Sequence, residues 1–227
     1  MTQTLGANSA ARKMDRIYRR QRFIYDATRR YYLFGRDRLI SDLGILGRET
    51  ILEIGCGTAR NLTAAARYYP EATLYGLDVS EEMLRSARSK VARQGLEKRI
   101  TIQAGDATTF NAVELFGAGH FDRIFFSYVL SMIPSWQQAV QHAAALLAPA
   151  GFLSIIDFGD FSGYPALACR AQLTWLRRFS VTPIPAFEHK ITALAGQLGF
   201  ASCTETLYGG YAFLTRIEQR GIPNPQI

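Results

Sequence analysis

The chain has no apolar run long enough to cross a bilayer. Its longest apolar stretch, Ala143 to Ile156, is interrupted by Pro149 and Gly151, whereas a spanning helix needs about 20 predominantly apolar residues. Cysteine is scarce. Cys56, Cys169 and Cys203 lie far apart without metal-ligand spacing, so neither a metal centre nor a disulfide framework is expected. The three histidines, His120, His142 and His189, do not cluster and read as structural or exposed. No secretory leader is legible, because the first thirty residues are basic and lack a continuous apolar core. Reducing cytosol is the expected compartment. Internal repeats and low-complexity tracts are missing too.

What the chain does have is core-forming material. Its 227 residues are 48% hydrophobic and 12% aromatic, which suits one α/β domain and excludes disorder as the default. The net charge of +7 is local. Ten basic residues between Arg12 and Arg38 stand against Asp15, Asp26 and Asp37, an excess equal to that of the whole chain. Such a block points to an anionic partner, a membrane surface or a nucleic acid, or to a solvated helix face.

Residues 11–46 read as helical, with Gly35 as a break. From Glu49 strands and helices alternate. Strands are expected at 51–54, 73–77, 100–104, 121–127 and 151–157. Helices are expected at 62–69, 80–94 and 136–147, with a helical insertion at 163–180 and a further helix at 187–198. Ser80 supplies an N-cap, and Glu81 and Glu82 supply acids to the first turn. The segments 200–207 and 211–217 read as a closing antiparallel pair. This alternation implies a Rossmann-like α/β fold, a mostly parallel seven-stranded sheet with helices on both faces and an antiparallel last strand. The expected organisation is a basic N-terminal helical region over 1–46 and an α/β domain over 47–227.

Gly55 and Gly57 follow the first strand, where glycine lets the backbone approach a ligand closely. Ligands of open parallel sheets bind beyond the carboxyl ends of the strands. A dinucleotide loop asks for G-x-G-x-x-G, but Arg60 stands where the third glycine belongs. Glu53 suits a ligand carrying an ammonium better than a pyrophosphate. Asp78, 21 residues past Gly57, can accept both hydroxyls of a ribose. Asp106 can accept a hydrogen bond from an adenine amino group.

These residues resemble the class I S-adenosylmethionine-dependent methyltransferases. The run from Ile51 to Asn61 looks like that family's first motif, Leu77 to Ser80 its second and Gly105 to Ala107 its third. Phe121 and Asp122, opening the fourth strand, also fit, as does Leu147 to Gly151 before the fifth. The resemblance covers about residues 49–157 and implies S-adenosylmethionine as cofactor, leaving as S-adenosylhomocysteine. It places Glu53, Gly55, Cys56, Gly57, Asn61, Asp78, Val79, Met83, Asp106, Ala107, Ser127 and Met132 at the cofactor. Cys56 is expected as a small residue rather than a reactive thiol. Ala59 departs from the glycine often found there, with a slightly stiffer turn expected.

The acceptor should face the carboxyl ends of the fourth and fifth strands. The Asn/Asp-Pro-Pro-Tyr signature of methyltransferases acting on bases or glutamine is absent after the fourth strand, which argues against a flipped base and a nucleic-acid partner. The segment Ile24 to Ile40 resembles the bacterial betaine-lipid N-methyltransferases of the BtaB type, as do Ser127 to Pro134 and Asp157 to Asp160. That resemblance implies three methyl transfers onto diacylglyceryl-homoserine, giving diacylglyceryl-N,N,N-trimethylhomoserine, with a partner enzyme supplying the lipid. It implies a cytoplasmic protein, peripheral on the inner face of the cell membrane.

Without a spanning helix, such an enzyme must dock on an anionic surface, through its basic N-terminus and through the insertion carrying Tyr164, Leu173, Trp175 and Phe179. A lid or core role for that insertion stays open. Tyr25 and Tyr128 are expected at the reacting nitrogen and Tyr32 beside it, because aromatic faces suit a quaternary ammonium. Arg36 or Arg38 is expected to hold the homoserine carboxylate, and Asp160 to accept a proton or orient the amine. Three alternatives remain: a phosphatidylethanolamine N-methyltransferase, a soluble small-molecule methyltransferase, and a non-catalytic cofactor-binding protein docking on RNA or a partner.

Overall fold

The structure is a computed structural model and describes residues 33–179 and 181–220. The basic segment before Leu33, with Tyr25 and Tyr32, lies outside the described residues. The elements in chain order are α1 (Arg36–Ser41), β1 (Thr50–Ile54), α2 (Arg60–Tyr68), β2 (Thr73–Asp78), α3 (Glu81–Arg93), β3 (Ile100–Ala104), α4 (Ala112–Phe116) and β4 (Phe121–Ser127). A 3-10 turn (Leu130–Met132) leads into α5 (Trp136–Ala145), β5 (Leu147–Phe158), α6 (Ala166–Arg177), α7 (Phe187–Gln197), β6 (Phe200–Leu207) and β7 (Ala212–Gln219).

The seven strands form one sheet in the order β3-β2-β1-β4-β5-β7-β6. β7 runs antiparallel to both its neighbours, and the pairings among β1 to β5 are parallel. This is the expected Rossmann-like architecture. Side chains alternate across the strands, so each strand feeds two cores. Ile51 and Phe125 pack on one face with Leu62, Leu84 and Val91 of α2 and α3. Leu52, Ile54, Ile124 and Phe126 pack on the other with Trp136, Val140 and Ile191 of α5 and α7. Strands covered on both faces read as continuous apolar runs, and Glu53 is the exception within β1, only 1% exposed.

Three departures from the sequence reading have physical causes. α4 was not expected. Its five residues are too few for a helical period to show, and it is started by the Asn111 side-chain oxygen Oδ1, which accepts from the backbone N–H of Val113 and Glu114. β5 begins four residues early because an irregularity between Phe121 and Arg123 lets Leu147 pair with Phe121 before the regular ladder starts at Phe152. The boundary expected at 46–47 is not marked in the core. Leu39, Ile40, Leu43 and Ile45 are buried in the same cluster as α2 and α3, so α1 is an integral layer of the sheet's first face. Gly35 does break the chain as expected, at φ 78° immediately before α1.

Candidate active site

Strand order reverses between β1 and β4, and a crevice opens at such a switch point. A cavity of about 410 Å³ lies there, lined by Leu33, Arg36, Glu53, Gly55, Cys56, Thr58, Arg60, Asn61, Lys90 and Ser127. β1 delivers Glu53 to its wall, the β1–α2 turn delivers Gly55 to Thr58, and β4 delivers Ser127. The turn is tight. Gly55 and Gly57 have φ 78° and 53°, and Ala59 sits in the left-handed region at φ 57°. That conformation costs an L-residue roughly 1–2 kcal/mol, so the stiffening expected at Ala59 appears as strain. The backbone N–H groups of Gly55 and Cys56 both donate to the Leu77 carbonyl, at 2.7 and 2.9 Å, which pins the turn over β2.

The carboxyl of Glu53 is the dominant electrostatic feature. One oxygen accepts from the Asn61 side-chain amide at 2.7 Å. The other, Oε2, has no hydrogen-bond partner among the described residues, and neither has the Ser127 hydroxyl. Burial pushes the Glu53 carboxyl up to about 8, reinforced by Asp78, while Asn61, Arg36 and Arg60 pull the other way. A buried acceptor without a donor is costly, and a cationic group in the cavity would supply one. Arg36, the first residue of α1, reaches the same cavity. It is buried, and its Nε donates to the Leu33 carbonyl at 3.1 Å. Arg60 is bonded to Asp37 of α1 at 2.7 Å, which fastens α1 across the turn.

Of the residues expected at the cofactor, Glu53, Gly55, Cys56, Asn61 and Ser127 line this cavity. The others are not among its lining residues. Asp78 ends β2, accepting from Gly57 N–H at 2.8 Å and from Ser80 N–H at 2.9 Å, so its carboxylate orders both the first turn and the start of α3. Val79 follows it half-buried. Asp106, half-buried with Ala107 after β3, accepts from Thr108 through N–H and hydroxyl. Met83 is buried and packs with Met132 and Phe179. The Cys56 thiol is buried and pushed well above its ordinary range, by burial and then by Asp78 and Glu53, in keeping with a packing role.

Among the described residues, those expected at the acceptor have separate partners, and Tyr25 and Tyr32 lie outside the described residues. Tyr128 is buried, and its phenol donates to the Phe34 carbonyl at 2.6 Å. Its pKa is pushed up by burial first and by Asp157 next, and its hydroxyl braces the chain at residue 34. Arg38 is exposed on α1, and both of its terminal nitrogens donate to the two oxygens of Glu205, at 2.8 and 2.6 Å. An occupied fork does not offer itself to a ligand carboxylate. Arg36 lines the Glu53 cavity, which Ser127 at the end of β4 also lines. Asp160 is exposed and caps its own turn, accepting from Ser162 N–H at 3.0 Å.

Sequence reasoning missed Leu33, Thr58 and Lys90 as cavity walls and used Arg60 only as a pattern breaker. Lys90 meets Thr58 at 3.3 Å across 32 residues, a contact without any local signature.

The comparisons agree with this geometry. Residues 51–151 match a family model described as a methyltransferase domain. The chain is 30% identical over 121 residues to methyltransferase GfsG of Streptomyces halstedii, covering 53% of this chain and 42% of that protein. It is 33% identical over 109 residues to a demethylmenaquinone methyltransferase of Listeria monocytogenes, covering 47% of this chain and 44% of that one. The chain therefore spans less than half the length of these relatives. Among solved structures, magnesium protoporphyrin IX methyltransferase of Synechocystis, crystallised with bound S-adenosylhomocysteine, superposes with a TM-score of 0.68 at 18% identity, over 96% of this chain and 99% of that one.

Proposed function

We propose that the chain binds S-adenosylmethionine and methylates the amine of diacylglyceryl-homoserine at a membrane surface; the match of residues 51–151 to a methyltransferase-domain model and the fold shared with a solved methyltransferase support the methyl-transfer part of this reading. The observation that carries the cofactor is the unpartnered oxygen of Glu53, which shares its cavity with Arg36. A carboxylate and a guanidinium in one cavity match the ammonium and carboxylate of an amino acid. Asp78 and Asp106, at the ends of β2 and β3, suit the ribose and adenine. The neighbour crystallised with S-adenosylhomocysteine supports this choice of ligand.

The cofactor supplies a methyl group carried on a sulfonium. The chain's own contribution is alignment and exclusion of water. α1 closes the cavity from one side, held there by the Asp37–Arg60 pair. Beyond β4 and β5, the rings of Phe34, Tyr128, Phe158 and Tyr211 form a connected aromatic cluster. Such faces suit a product that ends as a quaternary ammonium. The acceptor assignment rests on the betaine-lipid resemblance of residues 24–40, 127–134 and 157–160, and the peripheral inner-membrane location follows from the lipid. An upstream enzyme supplying diacylglyceryl-homoserine is part of the same proposal.

Lipid extracts from cells making diacylglyceryl-homoserine test it by mass spectrometry. A gain of three methyl groups that Asp78→Ala abolishes is the expected result. Methylation of phosphatidylethanolamine alone would overturn the substrate. The 33% identity to a demethylmenaquinone methyltransferase favours a second reading, a small-molecule acceptor. Turnover of such an acceptor without lipid, with diacylglyceryl-homoserine left unmodified, would establish that reading.

A further inference from the structure

Seven large apolar side chains are exposed among the described residues, and four of them share one edge: Phe34, Tyr164, Leu167 and Tyr208. Three segments build this edge. Phe34 meets the Tyr208 ring with centroids 5.7 Å apart. The Tyr164 hydroxyl donates to the Tyr208 carbonyl at 3.2 Å, and Gly163 N–H donates to the Gly209 carbonyl at 2.9 Å. Leu167 follows in the first turn of α6 and is 80% exposed.

α6 itself is an unusual helix for a folded protein. Of its twelve residues only Leu176 is buried. Its inner side, with Leu173 and Trp175, packs partly against the core. Its outer side presents Leu167, Arg170 and Arg177, with Arg178 at its end. From Phe161 to Phe187 the sequence contains three arginines and not one acid. Helices that lie in a membrane interface pair an apolar strip with cations at headgroup level. An exposed apolar cluster of this kind marks an interaction site, and the charge selects an anionic one.

We propose that α6, together with Phe34, Tyr164 and Tyr208, is the surface by which this protein seats on an anionic lipid bilayer. The proposal deepens the lipid-substrate reading and rests on it for the identity of the surface as a membrane. The geometry suits that chemistry. Phe34 belongs to the exposed edge, while its neighbour Leu33 lines the cavity. The proposed surface therefore adjoins the cavity wall along the chain at residues 33 and 34. Tyr128 fixes this junction by holding the Phe34 carbonyl.

The test is co-sedimentation of the full chain with vesicles of phosphatidylglycerol and phosphatidylcholine against vesicles of phosphatidylcholine alone. The wild type sediments with the anionic vesicles only. Leu167→Asp and the pair Arg177→Glu with Arg178→Glu each lower the partition coefficient, by about fivefold or more for each charge altered. Their affinity for S-adenosylhomocysteine and their melting temperatures stay at wild-type values, because none of these side chains is buried. Wild-type partitioning by both variants would overturn the proposal, as would equal binding to the neutral vesicles. Competition of vesicle binding by RNA with the same residue dependence would assign the surface to RNA, and loss of a dimer in the variants would assign it to a second copy. Sedimentation reads docking without methyl transfer, so a failed lipid-methylation assay leaves its outcome intact.

Discussion

The side-chain amide of Asn61 donates to the buried carboxyl of Glu53 at 2.7 Å, joining the second residue of α2 to the strand beneath it. The bond satisfies one carboxyl oxygen and leaves the other buried without a hydrogen-bond partner among the described residues. Burial holds the proton on this carboxyl to about 8 against its ordinary 4.5. Folding therefore favours the protonated form. The stability that this contributes is complete below about pH 4.5 and is lost as pH rises through about 8. Denaturant titrations across that window should show stability falling in the wild type, with the Glu53 share of the fall missing in Glu53→Gln.

The same group links proton release to cofactor binding. An ammonium beside Glu53 favours the carboxylate, so binding of S-adenosylhomocysteine at pH 7 should release about one proton. Calorimetry in buffers of different ionisation enthalpy measures this directly. Glu53→Gln should bind at least about tenfold more weakly, since a charge-assisted hydrogen bond is lost, and should release no proton. Equal proton release by the variant would rule out Glu53 as the source.

Arg36 offers a sharper test of which end of the ligand lies where. Arg36→Gln should weaken S-adenosylhomocysteine about tenfold or more. It should leave 5′-methylthioadenosine, which lacks the amino-acid carboxylate, nearly unaffected. A loss of packing alone would weaken both ligands alike.

Gly55 tests the turn. It has φ 78°, and a Cβ there would lie 2.5 Å from a methyl of Val129. Gly55→Ala therefore combines backbone strain with overpacking and should destabilise the fold by about 1–3 kcal/mol. Cofactor affinity should fall with it, because the N–H groups that Gly55 and Cys56 donate to Leu77 fix the turn. Urea unfolding and equilibrium binding report the two effects separately.

Tyr128→Phe separates bracing from catalysis. Losing the bond to the Phe34 carbonyl should cost about 1–2 kcal/mol in denaturation midpoints. The pH profile of kcat should keep its shape, because the phenol is not the proton acceptor. A hundredfold fall in kcat at unchanged stability would return Tyr128 to the chemistry.

The strands and the cofactor turn were legible because their signals are local. The buried strand β4 announces itself as a short apolar run and the edge strand β3 as an alternating one, and both fall where those patterns predict. Gly55, Gly57 and Asp78 stand at fixed spacings from β1, and Ser80 caps α3 through Met83 N–H as its position implies.

Tertiary structure alone decided which charged groups face each other. Arg36 and Arg38 are two residues apart on one short helix, and nothing in their spacing distinguishes them. Packing of Leu39 and Ile40 against the sheet turns Arg36 toward the cavity of Glu53 and Arg38 outward to Glu205, 167 residues away. Tyr128 likewise stands beyond β4 as the sequence implies, but its partner arrives from residue 34. The sequence by itself determined the sheet and the Gly55-to-Gly57 turn, since hydrophobic periodicity and glycine conformation act over a few residues. The partners of Arg36, Arg38 and Tyr128 were decided only by burial and long-range pairing, which no local pattern encodes.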